Sequence, residues 1–456
     1  MHEYDADNRA LVRAVVDFAL ERLGDDPPLR PVKTAHELEL LVGETITAEG
    51  LGGDEALSRY AKYLAPSSIA ADNPRYLAFV AGAPTPAATA FDFAVTSSAV
   101  AGSSWLDGAG LVHAENEALR WIADLAGLPK TAGGCFATGG TMGNLSALVT
   151  ARDAANRDHI NAGTNRPDRW AVVASASSHA SIGSAARVMD IDVLVADLDD
   201  ELRLTGDAVA TAIRDRPDHT EVFAVVATAG TTNVGVVDAL DSIAEVCDVH
   251  GIWFHVDGAY GGAAMAAPSV RHRFKGISRC NSLIVDPHKW LFSPFDCAAL
   301  IYRDPTPARL AHTQHAGYLD PLIDETVFNP SDHAHVLTRR ARGLPFWFSL
   351  AVYGTNAYRD AIEQTLAVAR AARDLVLDAD HLELVIEPEL SVVAFRRQGW
   401  GTRDYQEWCD QLLVAGVALL TPTTFDGEPA MRLCIINPRT TVEDLAEIFA
   451  TLEPLP

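Results

Sequence analysis

Lys289, in Val285-Asp286-Pro287-His288-Lys289-Trp290, follows directly on an apolar run, a place where an amine is unusual. An ammonium taken out of water must be paired or must lose its proton, and a neutral amine is what a Schiff-base nucleophile requires. Taken alone, the segment also fits a surface lysine just past a strand end. Asp257 closes a second apolar run, in His255-Val256-Asp257-Gly258-Ala259-Tyr260. A carboxylate there either caps the next turn or serves as an acid toward a bound group. The third segment, Phe136-Ala137-Thr138-Gly139-Gly140-Thr141-Met142-Gly143-Asn144, is a glycine-rich turn running into a helix. Free N–H groups at a helix N-terminus, with the Thr141 hydroxyl, make a phosphate site. It lacks the GK[ST] ending of a Walker loop and is not GxGxxG.

An amine, an acid and a phosphate turn meet the needs of pyridoxal 5′-phosphate (PLP), whose pyridine nitrogen must stay protonated for the ring to draw electrons from Cα. In this order the segments resemble the group II PLP-dependent amino-acid decarboxylases, which include aromatic-L-amino-acid and glutamate decarboxylases. The resemblance runs from about Asn73 to the C-terminus, and DPHKW and HVDGAY are its specific parts. It implies that Lys289 carries PLP as a Schiff base, that Asp257 faces the pyridinium nitrogen and that Ala259 lies under one face of the ring. His179, in Ser177-Ser178-His179-Ala180-Ser181, matches the histidine that stacks on the other face and takes part in proton transfer. Without the resemblance it would read as a core or loop histidine. Thr141, Met142 and Gly143 match the phosphate turn, with His288 approaching the phosphate, and Thr228 matches the threonine supporting the aspartate. Arg432 corresponds to an arginine that binds a substrate carboxylate in glutamate decarboxylases; a structural salt bridge is its other reading.

The resemblance also implies a PLP-dependent transferase fold of type I, assembled as a homodimer with active sites at the subunit interface. The expected reaction is decarboxylation of an L-amino acid to its amine. The alternatives are oxidative decarboxylation and deamination to an aldehyde, another PLP lyase or transaminase reaction, or PLP binding without catalysis. Two stretches depart from the family. Counting back from Arg339-Arg340 puts Pro330 where decarboxylases carry a loop tyrosine, leaving Tyr318, Phe328 and His333 as side chains that could reach a site. In the substrate pocket, Phe79 stands in a stretch with fewer aromatics than aromatic decarboxylases have, and Ser103 replaces a phenylalanine. His312, His315, His333 and His335 flank the loop at spacings that fit no usual metal site, and no metal is expected.

The elements that must position these residues follow from periodicity. Residues 1–72 read as helices that lie across another surface, with Leu11, Val15, Phe18 and Leu20 at helical spacing. Helices expected at Glu115–Ala126 and Asn144–Asn156 precede apolar runs at 170–175, 192–197, 222–228, 252–257, 282–286 and 297–302. Continuous apolar runs separated by helices indicate a mostly parallel sheet covered on both faces, which binds ligands at the carboxyl ends of its strands. This α/β large domain is expected over 73–345. A smaller α+β domain is expected over 346–456, with a long helix at Tyr358–Leu377 and a last helix opened by a Thr440/Glu443 capping box.

Thirty-six basic against sixty-one acidic residues give a net charge of −25, which opposes nucleic acid and anionic membrane surfaces. The start of the chain lacks the basic and then apolar pattern of a signal peptide. Six cysteines without a CxxC pair read as reduced, mostly buried thiols, and the expected location is the cytoplasm.

Overall fold

In the computed structural model, which describes residues 2–319 and 327–452, the apolar runs form a seven-stranded sheet. Its strands are β1 (Gly133–Ala137), β2 (Arg169–Ser175), β3 (Asp192–Ala196), β4 (Thr220–Thr228), β5 (Trp253–Asp257), β6 (Ser282–Val285) and β7 (Ala298–Tyr302), in spatial order β1-β7-β6-β5-β4-β2-β3. The strands from β3 across to β6 pair parallel, while β7 runs antiparallel to both β6 and β1. β4 is buried along nearly its whole length, as a strand covered on both faces must be, and this explains its unbroken apolar run. The strand missing from the sequence reading is β1. It begins with two glycines, and Gly134 passes so close to β7 that a Cβ would lie 1.9 Å from the Leu300 carbonyl oxygen.

Before the sheet come α1 (Ala6–Gly24), α2 (Ala35–Val42), α3 (Gly53–Arg59), α4 (Pro86–Ser97) and α5 (Trp105–Leu125). None of the first three buries a side chain completely. Between and after the strands lie α6 (Gly140–Ala162), α7 (Ala180–Met189), α8 (Gly206–Arg214), α9 (Leu240–His250) and α10 (Thr306–His312). The helices α5, α8 and α9 share one core with the sheet, and α6 and α7 pack on its other face through Leu148, Ala151, Ile182 and Ala186. All six cysteines are buried and unpaired.

Past the sheet, α11 (Leu344–Leu377) starts well before the expected Tyr358 and is broken at Gly354, where φ is +75°. It leads to a four-stranded antiparallel sheet of β8 (Leu382–Leu384), β9 (Val392–Arg397), β10 (Pro422–Phe425) and β11 (Glu428–Cys434), ordered β10-β11-β9-β8. Two helices, α12 (Thr402–Val414) and α13 (Val442–Ala450), pack on it with the end of α11. The capping box of α13 is Thr441 with Asp444, one residue later than the expected Thr440 with Glu443. Thr440 is engaged elsewhere: its hydroxyl donates to the Pro74 carbonyl at 2.6 Å.

Candidate active site

The carboxyl ends of β4, β5 and β6 open into a cavity of about 530 Å³, closed on one side by the start of α6 and on another by β11. Its lining includes Thr228, Asp257, Lys289, His179, Thr141 and Arg432. Parallel strands end here together, so side chains far apart in sequence converge without long loops. Of the residues singled out from sequence, Phe79, Ala259 and His288 also line it. Gly143 instead fixes α6 to the sheet, because a Cβ there would lie 2.3 Å from Ile284 Cδ1, and Met142 does not line the cavity.

Lys289 stands on the turn after β6, and 23% of its side-chain surface remains open. Of the two states open to a buried lysine, paired or deprotonated, its surroundings favour the paired one. Burial pulls its pKa down, but the charges of Asp286 and Asp257 and a hydrogen bond to Asp286 outweigh burial and raise it above the ordinary lysine value. Its Nζ lies 3.0 Å from Asp286 Oδ2. The amine is therefore held as a paired ammonium. The turn is locked from behind, where Trp290 stacks on Tyr260 at 5.3 Å and donates from Nε1 to Thr365 Oγ1 at 2.9 Å. Opposite, Gly82 comes so near that a Cβ would lie 2.0 Å from the Lys289 carbonyl oxygen.

Asp257 Oδ1 receives the Ala259 N–H at 3.1 Å, and Oδ2 receives Asn144 Nδ2 at 2.8 Å. Asn144 was not singled out for any role, yet it is the hub of a buried polar chain. Its Nδ2 also donates to Ser181 Oγ at 2.9 Å, and its Oδ1 pairs with His255 Nε2 at 2.8 Å. With both amide protons of Asn144 donated, the pattern assigns the proton of His255 to Nε2; His255 Nδ1 then accepts from Ser282 Oγ at 2.8 Å. Trp253 Nε1 completes the chain by donating to Ser282 Oγ at 2.8 Å. Burial keeps His255 neutral, lowering its pKa to about 4.

The chain ends at His179, which caps α7. Its Nδ1 receives the Ser181 N–H at 3.2 Å and lies 2.9 Å from Ser181 Oγ. Nδ1 is thus an acceptor, and the same reasoning assigns the proton to Nε2. His288 Nδ1 receives the Cys297 N–H at 3.0 Å, and burial lowers the pKa of the ring, leaving a neutral imidazole with its N–H on Nε2. Arg432 Nη2 donates to the carbonyl of Phe79 at 3.0 Å, while its Nε is buried without a hydrogen-bond partner among the described residues. Phe79 holds a left-handed backbone, φ +52°, and the residue is 58% exposed.

Ser103 is not brought to this cavity. Its Oγ receives the Arg339 N–H at 3.1 Å and its carbonyl receives the Ser331 N–H at 3.1 Å. Phe328 stacks on the buried His333 at 4.2 Å, neither lines the cavity, and Tyr318 is exposed. Residues 320–326 of that loop lie outside the described residues. The missed signals are periodic. His255 and Asp257 are two apart on one strand and share a face, while Thr141 and Asn144 are three apart on one helix.

The site is suited to PLP. Thr228 Oγ1, in the lining, is buried with no hydrogen-bond partner among the described residues, as is Asp286 Oδ1. Gly140 leaves a gap at the head of α6 that a Cβ would fill, 3.2 Å from both Ala259 Cβ and Asp286 Oδ2. An amine, a carboxylate with two donors behind it and the opening amides of a helix match an aldehyde, a pyridine nitrogen and a phosphate.

The chain matches the Pyridoxal-dependent decarboxylase conserved domain over residues 45–398. It is 32% identical over 398 residues to an aromatic-L-amino-acid decarboxylase of Bacillus atrophaeus, covering 84% of this chain and 81% of the relative. It is 31% identical over 364 residues to an L-2,4-diaminobutyrate decarboxylase of Rhizobium meliloti, covering 76% and 70%. The crystal structure of Oryza sativa TDC with PLP and tryptamine superposes with a TM-score of 0.90 at 25% identity, covering 99% of this chain and 98% of the other.

Proposed function

The chain belongs to the pyridoxal-dependent decarboxylase family and is a PLP-dependent amino-acid carboxy-lyase, and from that premise we propose that Lys289 carries the cofactor and that the substrate is an aromatic L-amino acid. The observation that carries the site assignment is the convergence of Lys289, Asp257 and the Gly140 turn on one cavity. When bound, PLP supplies an electron sink for the bond broken at Cα, so that the α-carboxylate leaves as carbon dioxide.

Asp257, aimed by Asn144 and the Ala259 amide, would hold a proton at the pyridine nitrogen of the bound cofactor. Gly140, Thr141 and His288 Nε2–H donate to the phosphate, and Thr228 Oγ1 donates to the cofactor or its aspartate. His179, in the cavity lining, would lie against the bound cofactor, with its Nε2–H turned to the reacting carbon as a hydrogen-bond and proton partner. Arg432 binds a substrate carboxylate through the donors that Phe79 leaves free, which orients the α-carbon. The aromatic side chains of Tyr76, Phe79 and Phe295 in the lining support an aromatic substrate. A cationic side chain would want a free carboxylate, whereas Asp296 in the lining is engaged by Arg342.

The assembly is proposed to be a homodimer. The N-terminal arm supports this, since Leu20, Leu40 and Ile46 are 61%, 73% and 89% exposed and nothing in the arm's three helices is fully buried. The proposed compartment is the cytoplasm, supported by six unpaired thiols.

Borohydride reduction of PLP-loaded protein is expected to label the peptide containing Lys289; a colourless, unlabelled protein defeats the assignment. A panel of L-amino acids assayed for amine, aldehyde and peroxide is expected to give amine from aromatic members without peroxide. Aldehyde with peroxide would assign the oxidative reaction instead. Turnover of diaminobutyrate in preference to aromatic members would move the substrate class.

A further inference from the structure

Asp286 has no part in the mechanism above, yet it lies at the junction of the two cofactor-binding ends. Its Oδ2 receives the Gly140 N–H, at the head of α6, at 3.2 Å and sits 3.0 Å from Lys289 Nζ. Its Oδ1 is buried with no hydrogen-bond partner among the described residues. A Cβ on Gly140 would lie 3.2 and 3.5 Å from the two carboxylate oxygens, so the side chain is aimed into the turn. We propose that Asp286 is an internal counter-anion that occupies the α6 N-terminus and holds Lys289 until the cofactor displaces it from both. The proposal rests on the assignment of the Gly140 turn and Lys289 to the cofactor's phosphate and aldehyde ends.

The amides that open a helix favour one anion, and a carboxylate already fills that place. A phosphate brought to the Gly140 N–H meets a like charge a few ångströms away, which weakens its binding by about tenfold or more. The same carboxylate opposes release of the Lys289 proton, which the amine must shed before it can attack an aldehyde. The other groups facing this pair are Asp257 at the end of β5, Cys434 on β11 and His288, whose Nε2 lies 3.6 Å from Asp286 Oδ2. Of these only Asp257 shares the negative charge, and it remains when Asp286 is changed.

Asp286→Asn keeps the shape and removes the charge. Cofactor-free wild type and variant are titrated with inorganic phosphate, followed by thermal shift, and with PLP, followed by absorbance. The variant is expected to bind each about tenfold tighter. It is also expected to be labelled at Lys289 by PLP and borohydride at a lower pH than wild type, because Lys289 has lost a charge partner. Equal or weaker binding, or an unmoved pH profile, overturns the proposal; weaker binding with an unmoved profile is what a purely structural aspartate would give. If Asp286→Asn does not fold, Asp286→Ser removes the same charge and is read the same way. Wild type that is never labelled at Lys289 overturns the underlying assignment and the proposal with it, whereas labelling with equal affinities overturns the proposal alone.

Discussion

At the scale of single residues, the groups proposed to touch a cofactor are marked out in the sequence because their types are costly where they stand. A lysine and an aspartate at the ends of apolar runs, and an arginine within one, each need a partner, and that need points to a site. That a buried lysine must be paired or neutral follows from its type alone, but its partner Asp286, three residues away, emerges only from the turn that folds the two together. The sequence reading missed Asn144, whose importance lies in donating to two groups at once. Removing it leaves Asp257 Oδ2, Ser181 Oγ and His255 Nε2 short of a partner in a buried setting. Each such loss is worth roughly 1–3 kcal/mol, or about ten- to a hundredfold in an equilibrium or rate. Asn144→Ala is therefore expected to lower kcat/KM by about that factor and to lower Tm, while borohydride still labels Lys289. Steady-state kinetics beside the labelling assay checks this; unaltered kinetics would show that Asp257 needs no support from α6.

At the scale of elements, strands with long apolar runs were legible and close approaches were not. β4 and β5 follow from their residues alone. By contrast, β1 is short and glycine-led because Gly134 must pass close to β7, a demand set by a strand more than 150 residues later. The α13 cap was displaced by one residue for a similar reason, since the Pro74 carbonyl claims Thr440. Gly82 carries the same lesson into the site. A Cβ there would lie 2.0 Å from the Lys289 carbonyl oxygen and 2.7 Å from that of His288, both backbone atoms that cannot rotate away. Gly82→Ala must move the whole turn after β6, at a cost of about 1–3 kcal/mol. It is expected to weaken PLP binding measured by absorbance titration, and to do so without changing the Lys289 side chain. Wild-type affinity in this variant would mean that the turn is free to shift.

At the scale of the whole molecule, the response to acid is decided by buried groups spread over several elements. Burial lowers the pKa of His255 and of His333 to about 4, and lowers His288 and His312 as well. These histidines bind protons more readily once unfolded. Their contribution is fully present above the ordinary histidine value near 6.5 and is lost as pH falls toward 4. Asp238 acts with the opposite sign. Burial raises its pKa to about 7, so between about 7 and the ordinary 3.8 the folded chain holds its proton more tightly and gains stability on acidification. Asp332 is raised by burial too and adds to that side. With four histidines against two carboxyls, the unfolded chain takes up the excess of protons between about pH 6 and 4.5. Stability then falls by ~1.4 kcal/mol per pH unit for each net proton. The Tm of the cofactor-free chain is expected to drop steadily from pH 7 to 4.5. His255→Gln keeps a neutral side chain able to bond Asn144 and is expected to flatten the slope; a Tm that holds or rises across this range would show that the two carboxyls outweigh the histidines.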